Sequence, residues 1–190
     1  MMRIIGGTAK GRRLASFKGM HIRPTTDRVR EAIFNILPMP FPFRNVLDLF
    51  AGTGAMGLEA LSRGAETATF IDGDPKAVRV IKKNLGLCKF ADRAVVICND
   101  VQSSLNLMSK RGARFDLIFI DPPYSAPLMG AVLNYINDKK LLDGDGLIVA
   151  ESSKRMVWDG NLENTELFDR RRYGDTIVSF YMPKSSKTRK

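Results

Sequence analysis

Asp121-Pro122-Pro123-Tyr124 directly follow the apolar run Phe115-Asp116-Leu117-Ile118-Phe119-Ile120, so a buried strand delivers an acid, two prolines and an aromatic ring to its exposed end. That set suits the holding of a planar amine. Asp121 and the Pro122 carbonyl can each accept a hydrogen bond from an exocyclic NH2 group. Pro123 brings no competing N–H and stiffens the loop, and Tyr124 offers a face on which the ring carrying the amine can stack. In an open parallel sheet, ligands bind outside the carboxyl ends of the strands, which is where this loop falls. A plain turn after a core strand uses the same residue types, so the motif alone leaves both readings open.

A second constellation, Asp48-Leu49-Phe50-Ala51-Gly52-Thr53-Gly54-Ala55-Met56-Gly57, carries the spacing G-x-G-x-x-G at Gly52, Gly54 and Gly57. It follows an apolar strand and opens a helical stretch, the place of a nucleotide-binding turn, and Asp72 at the end of the next strand is positioned to bind a ribose diol. The cofactor follows from charge. A dinucleotide brings a pyrophosphate that favours a bare helix N-terminus with no acid nearby. Asp48 stands immediately before the glycines and suits a ligand with a cationic amino-acid end, which is the character of S-adenosyl-L-methionine. Asp100, after the strand Ala94 to Cys98, is placed either to accept the adenine amine or to cap the following helix, and Asp74 before Pro75 reads as an N-cap.

These groups need a scaffold that brings several strand ends together. Apolar runs alternate with helical stretches: strand 46–49, helix 55–63, strand 67–72, helix 75–85, strand 94–97, helix 101–110, strand 116–120, helix 127–137 and strand 146–151. Continuous apolar strands in alternation with helices predict an α/β fold with a mostly parallel sheet covered on both faces. Two last strands, 166–171 and 175–182, join at a turn near Gly174 as a closing antiparallel hairpin. Ahead of the alternation, residues 1–24 read as a small β-hairpin or extended arm. A helix follows, capped at Thr25, Thr26 or Asp27, with Val29, Ile33, Ile36 and Leu37 on one face until Pro38 ends it. The expected division is an arm and helix over residues 1–45, a core over 46–183 and a tail over 184–190.

The chain has 190 residues, 44% of them hydrophobic, enough for one compact domain. Its net charge of +10 is concentrated at the ends: nine Lys/Arg against Asp27 and Glu31 in residues 1–45, four more in the tail, and 17 basic against 18 acidic side chains between. Basic flanks on a balanced body suit a polyanionic partner. Two cysteines, Cys88 and Cys98, and one histidine, His21, form no metal-binding pattern. With no signal-peptide pattern and no membrane-spanning apolar run, a cytoplasmic location with no membrane contact is expected.

Three motif blocks together resemble the bacterial RsmD family of 16S rRNA guanine-N2 methyltransferases: Arg3-Ile4-Ile5-Gly6-Gly7, then Lys10-Gly11-Arg12-Arg13-Leu14, then Arg23-Pro24-Thr25-Thr26-Asp27-Arg28-Val29-Arg30-Glu31-Ala32-Ile33-Phe34-Asn35. The likeness runs from about residue 2 to 182. It implies a Rossmann-like class I methyltransferase core with a mostly parallel seven-stranded sheet, helices on both faces, and a small N-terminal β-hairpin/helix extension. It further implies S-adenosyl-L-methionine as methyl donor and a guanine N2 of 16S rRNA as acceptor. Carried residue by residue, it places Asp48, Phe50, Gly52 and Gly54 at the cofactor, Asp72 on its ribose and Asp100 near its adenine. Asp121, Pro122, Pro123 and Tyr124 meet the target base. Arg3, Lys10, Arg12, Arg13, Arg23 and Arg28 are expected to meet phosphates, and Arg30 to be tied to Asp27 or Glu31 on its own helix. So small a reading surface favours a pre-shaped RNA loop, presented by an assembled or partly assembled small ribosomal subunit, bound by a monomer. One departure from the family pattern is the polar stretch Ser152 to Asn164, too short for a full covering helix. The residues also admit an adenine-N6 or other amino-methyltransferase acting on DNA or RNA, a nicotinamide-dependent oxidoreductase, or a non-catalytic ribosome-assembly factor.

Overall fold

The computed structural model describes residues 2–16, 27–123 and 126–184. Its elements run α1 (Asp27–Ile36), β1 (Asn45–Leu49), α2 (Ala55–Arg63), β2 (Thr67–Asp72), α3 (Pro75–Cys88), β3 (Ala94–Cys98), α4 (Val101–Lys110), β4 (Phe115–Ile120), α5 (Ala126–Asp138), β5 (Leu142–Ser153), β6 (Thr165–Tyr173) and β7 (Thr176–Pro183). The seven strands form one sheet in the order β3-β2-β1-β4-β5-β7-β6. Strands β1 to β5 pair in parallel, and β7 runs antiparallel to both β5 and β6. The final hairpin therefore folds back so that its second strand, not its first, meets the sheet. The reason lies in the side chains: β7 carries the unbroken buried run Ile177 to Tyr181, whereas β6 is charged and mostly exposed and suits an edge.

Why the central strands read as continuous apolar runs is plain from the two cores. Successive side chains of a strand point to opposite faces. Val46, Phe70, Leu117, Phe119 and Phe180 face one layer, built from α1, α2, α3 and the arm residues Ile4 and Leu14. Leu47, Leu49, Ile71, Ile118 and Ile120 face the other, built from α4 and α5. The same period-two rule puts Asp48 on the α2 side, between two leucines that point away from it.

The N-terminal arm makes a single antiparallel bridge, Arg3 with Arg13, and turns at Gly7 to Gly11. Gly7 has φ +71°, and a Cβ there would fall 1.8 Å from the Ser62 carbonyl oxygen, so the tip can press against the end of α2 only without a side chain. Residues 154–164 contain no helix, in keeping with their polar composition. They are fastened instead by Trp158, which lies against Gly130 of α5, and by Asn164, whose N–H donates to Asn137 Oδ1 at 2.8 Å.

Candidate active site

Strands β1, β2 and β4 lie side by side, with Leu49 in register with both Ile71 and Ile120. Neighbouring strands are about 4.8 Å apart, so the three chains leave the sheet together. β1 passes into the glycine loop, β2 ends at Asp72, and β4 passes into Asp121-Pro122-Pro123. The acid-proline loop and the glycine loop, 64 residues apart from Gly57 to Asp121, become neighbours through parallel pairing alone.

The glycine loop is held from below. Phe50, Gly52 and Gly54 all have positive φ, at 58°, 56° and 76°. For Phe50 this is a strained conformation that the loop imposes on a bulky residue. Gly54 N–H donates to the Ala51 carbonyl at 2.7 Å, closing the turn, and its own carbonyl accepts the first helical bond from Leu58. Above Gly52 there is open space: the nearest atom to a Cβ built there is 3.9 Å away. Gly57 is different, because a Cβ would collide with the Phe70 ring at 2.4 Å, so this glycine lets α2 close against the sheet.

Asp48 is 3% exposed, and its Oδ2 accepts the Gly57 N–H at 2.9 Å. Burial, with the Asp72 charge adding to it, outweighs that bond and pushes its carboxyl up to about 7. A buried acid with one oxygen committed to a helix N–H and a raised pKa is the donor chemistry that a cationic group stabilises. Asp72 uses both oxygens, accepting Gly52 N–H at 2.8 Å and Asp74 N–H at 2.8 Å, and so links the glycine loop to the start of α3. Asp74 caps α3 through Lys76 N–H, with Pro75 at the first helical position. Asp100 caps α4 through Ser103 N–H at 2.8 Å, and that bond holds its carboxyl below the usual range. Of the two roles open to Asp100 from sequence, the structure displays the cap, while its exposed carboxyl follows Asn99, whose N–H donates to the Asp72 carbonyl at 3.2 Å. Open space over Gly52, a buried acid and a second acid at the adjoining strand end match the needs of S-adenosyl-L-methionine's amino-acid and ribose parts.

On the acceptor side, Asp121 and Pro123 are exposed and Pro122 is half-buried. Tyr124 lies outside the described residues. On the arm, Arg3, Lys10, Arg12 and Arg13 are exposed, as is Arg28 on α1, while Arg23 lies outside the described residues. Arg30 is wholly buried and reaches further than its own helix: its guanidinium binds Asp27 Oδ1 at 3.0 Å, donates to the Arg3 carbonyl, and stands 3.8 Å from Glu59.

Two residues that position the site had no recognised role in the sequence. Glu59 of α2, fully buried, accepts Ile5 N–H at 2.8 Å and Gly6 N–H at 2.7 Å and binds Arg63 Nε at 2.9 Å, fastening the arm. Asn84 of α3, also fully buried, accepts Ala15 N–H at 2.7 Å and donates to the Ala15 carbonyl at 3.1 Å and the Thr53 carbonyl at 2.9 Å. It joins the arm to the glycine loop. The available signal was a polar residue on an apolar helical face, at positions where the spacing places Leu58, Leu61, Ile81 and Leu85.

Similarity to known proteins agrees with this arrangement. The family model for conserved hypothetical protein 95 matches residues 2–182. YlbH of Bacillus subtilis is 40% identical over 180 residues, covering 95% of this chain and 98% of that one. The ribosomal RNA small subunit methyltransferase D of Escherichia coli K12 is 39% identical over 151 residues, covering 80% and 74%. The solved structure of Escherichia coli yhhF superposes with a TM-score of 0.83 at 35% identity, covering 96% and 98%. With the strand order, the glycine loop and the acid-proline loop all in place, the chain belongs to the conserved hypothetical protein 95 family, the RsmD family of class I methyltransferase fold.

Proposed function

We propose that this chain transfers a methyl group from S-adenosyl-L-methionine to the exocyclic N2 of one guanine in 16S rRNA. The observation that carries the reading is the adjacency of two loops of different chemistry. Strands β1 and β4 pair in parallel up to Leu49 and Ile120, so an acid beside a glycine turn and an acid beside two prolines open on one another. The relatives named as ribosomal RNA small subunit methyltransferases support an rRNA acceptor.

Bound S-adenosyl-L-methionine supplies an electrophilic methyl on a sulfonium. The chain's part is to orient the nucleophile. A guanine amine is a poor nucleophile because its lone pair is delocalised into the ring. Hydrogen bonds from its two N–H groups to Asp121 and to the Pro122 carbonyl would fix the amine and favour pyramidal nitrogen as positive charge develops. Asp121 is also within the chemistry of a proton acceptor. Tyr124 and Pro123 would hold the base turned out of its stack. At the donor loop, Asp48 would meet the amino-acid end, Phe50, Gly52 and Gly54 would line it, Asp72 would take the ribose and Asp100 the adenine. Arg3, Lys10, Arg12, Arg13, Arg23 and Arg28 would neutralise phosphates of an rRNA loop in an assembled or partly assembled subunit, bound by a monomeric enzyme in the cytoplasm.

Asp121→Ala should lower transfer to rRNA lacking the mark by at least about 100-fold, the scale of a lost positioned acid-base group, while calorimetry shows S-adenosylhomocysteine binding within a factor of about three. Turnover near the original rate would refute this mechanism. Mass spectrometry of 16S rRNA from cells lacking the protein should reveal one guanine without its N2 methyl, and loss of a methyl from an adenine would replace the base assignment.

A further inference from the structure

The positive charge of α3 faces solvent. Residues 75–90 contain five cations, Lys76, Arg79, Lys82, Lys83 and Lys89, and no Asp or Glu. All five are exposed, and none pairs with a carboxylate among the described residues. On the β5–β7 side, by contrast, three cations, Lys154, Arg170 and Arg171, are tied to Asp175, Asp159 and Asp169. The placement also works against the helix. Lys76 stands in the first turn, where the helix dipole favours an acid, and Arg79 and Lys83 repel each other at i,i+4. Charges held against local electrostatics point to an external anion.

Their direction is defined by the buried side. Ala77, Val78, Ile81, Asn84, Leu85 and Cys88 face the core, so Lys76, Arg79, Lys83 and Leu87 follow one another along the solvent side at helical spacing. A 14-residue helix is about 21 Å long. α3 is capped by Asp74, bonded to Asp72 at the donor loop, and near its other end Leu87 shares a shallow depression of ≈ 460 Å³ with Lys10, Arg12 and Arg13 at the arm tip. Those three arm cations are likewise exposed and without a carboxylate among the described residues.

We propose that the outer side of α3 and the arm tip form one phosphate-binding track, along which the backbone of the RNA flanking the target nucleotide lies between the arm and the donor loop. The proposal rests on the reading of the substrate as RNA. It assigns Arg79, Lys82 and Lys83 to the interface together with the arm's cations.

The test is the salt dependence of binding to protein-free 16S rRNA that lacks the mark. Each phosphate contact to a single strand contributes a slope of about −0.7 in log affinity against log salt. The variant Arg79→Ala/Lys82→Ala/Lys83→Ala keeps good helix formers at exposed positions. It should flatten the slope by about 1.4 to 2 and weaken binding at least about tenfold at 0.15 M salt, with melting temperature and S-adenosylhomocysteine affinity unchanged. Lys110→Ala/Arg111→Ala/Arg114→Ala, which removes equal charge at the end of α4 on the opposite face of the sheet, should leave the slope alone. An unchanged slope in the α3 variant, or an equal loss in the control, overturns the track while leaving the methyltransferase reading intact. Absence of wild-type binding both to protein-free rRNA and to small subunits lacking the mark would overturn both, and binding to subunits alone moves the same slope comparison onto subunits.

Discussion

Asp48 shows how one side chain can be costly to the fold and yet suited to the proposed site. Its carboxyl titrates at 3.8 when unfolded and at about 7 in the folded chain, so the folded state holds an extra proton between those values. The resulting stabilisation is complete below the lower value and is lost as the pH rises through about 7. Asp48→Asn keeps the shape and cannot ionise. It should melt above the wild type by a margin that grows from about pH 4 to about pH 7 and levels off above that, readable by calorimetry in the absence of ligand. A cationic ligand end favours the ionised form, so wild-type affinity for S-adenosylhomocysteine should rise from about pH 6 to pH 8. The Asn variant should bind weakly and show no such rise. A flat wild-type profile would remove Asp48 from contact with the ligand's ammonium.

At the scale of elements, the arm and the helices behave as one piece. Glu59 is surrounded by Arg30, Arg63 and two arm N–H groups with no exposure to water. Removing one partner of such a buried network strands the others, at a cost of about 3–5 kcal/mol. Glu59→Ala should therefore lower the melting temperature by roughly 6 °C or more for a chain of this size. Asn84 makes a different prediction because its bonds reach the Thr53 carbonyl. Asn84→Ala should weaken S-adenosylhomocysteine binding several-fold beyond any change explained by stability, whereas Asn84→Ser, which lacks the reach to bridge both strands, should not restore it. Equal affinity in wild type and Asn84→Ala would confine Asn84 to a structural role.

Across the whole molecule, Ile4 and Leu14 of the arm close the same apolar layer as Leu58, Leu61, Ile81 and Phe70. Removal of residues 1–16 would uncover that layer. The truncated chain should show lowered thermal stability and bind a hydrophobic dye, and a truncation that melted like the full chain would show the arm to be an appendage. Core completion and the proposed phosphate contact thus fall on one segment: Ile4 and Leu14 are buried while Arg3, Arg12 and Arg13 are exposed.

Much of this was legible in the linear chain. Helices α2 and α4 begin and end where the periodicity places them, and β2 does likewise, because local rules of capping, glycine and apolar spacing act over a few residues. The placement of Asp48 before the glycine turn and of Asp121-Pro122-Pro123 after β4 was readable for the same reason. What tertiary structure decided was pairing. The insertion of β7 between β5 and β6, the burial of Arg30 against Glu59, and the reach of Asn84 from α3 to the arm and the glycine loop join residues 27 to 69 positions apart or reverse a strand order. No local pattern encodes them. They follow from which surfaces must leave water together, and a buried Glu, Arg or Asn takes its meaning only from the partner that packing brings to it.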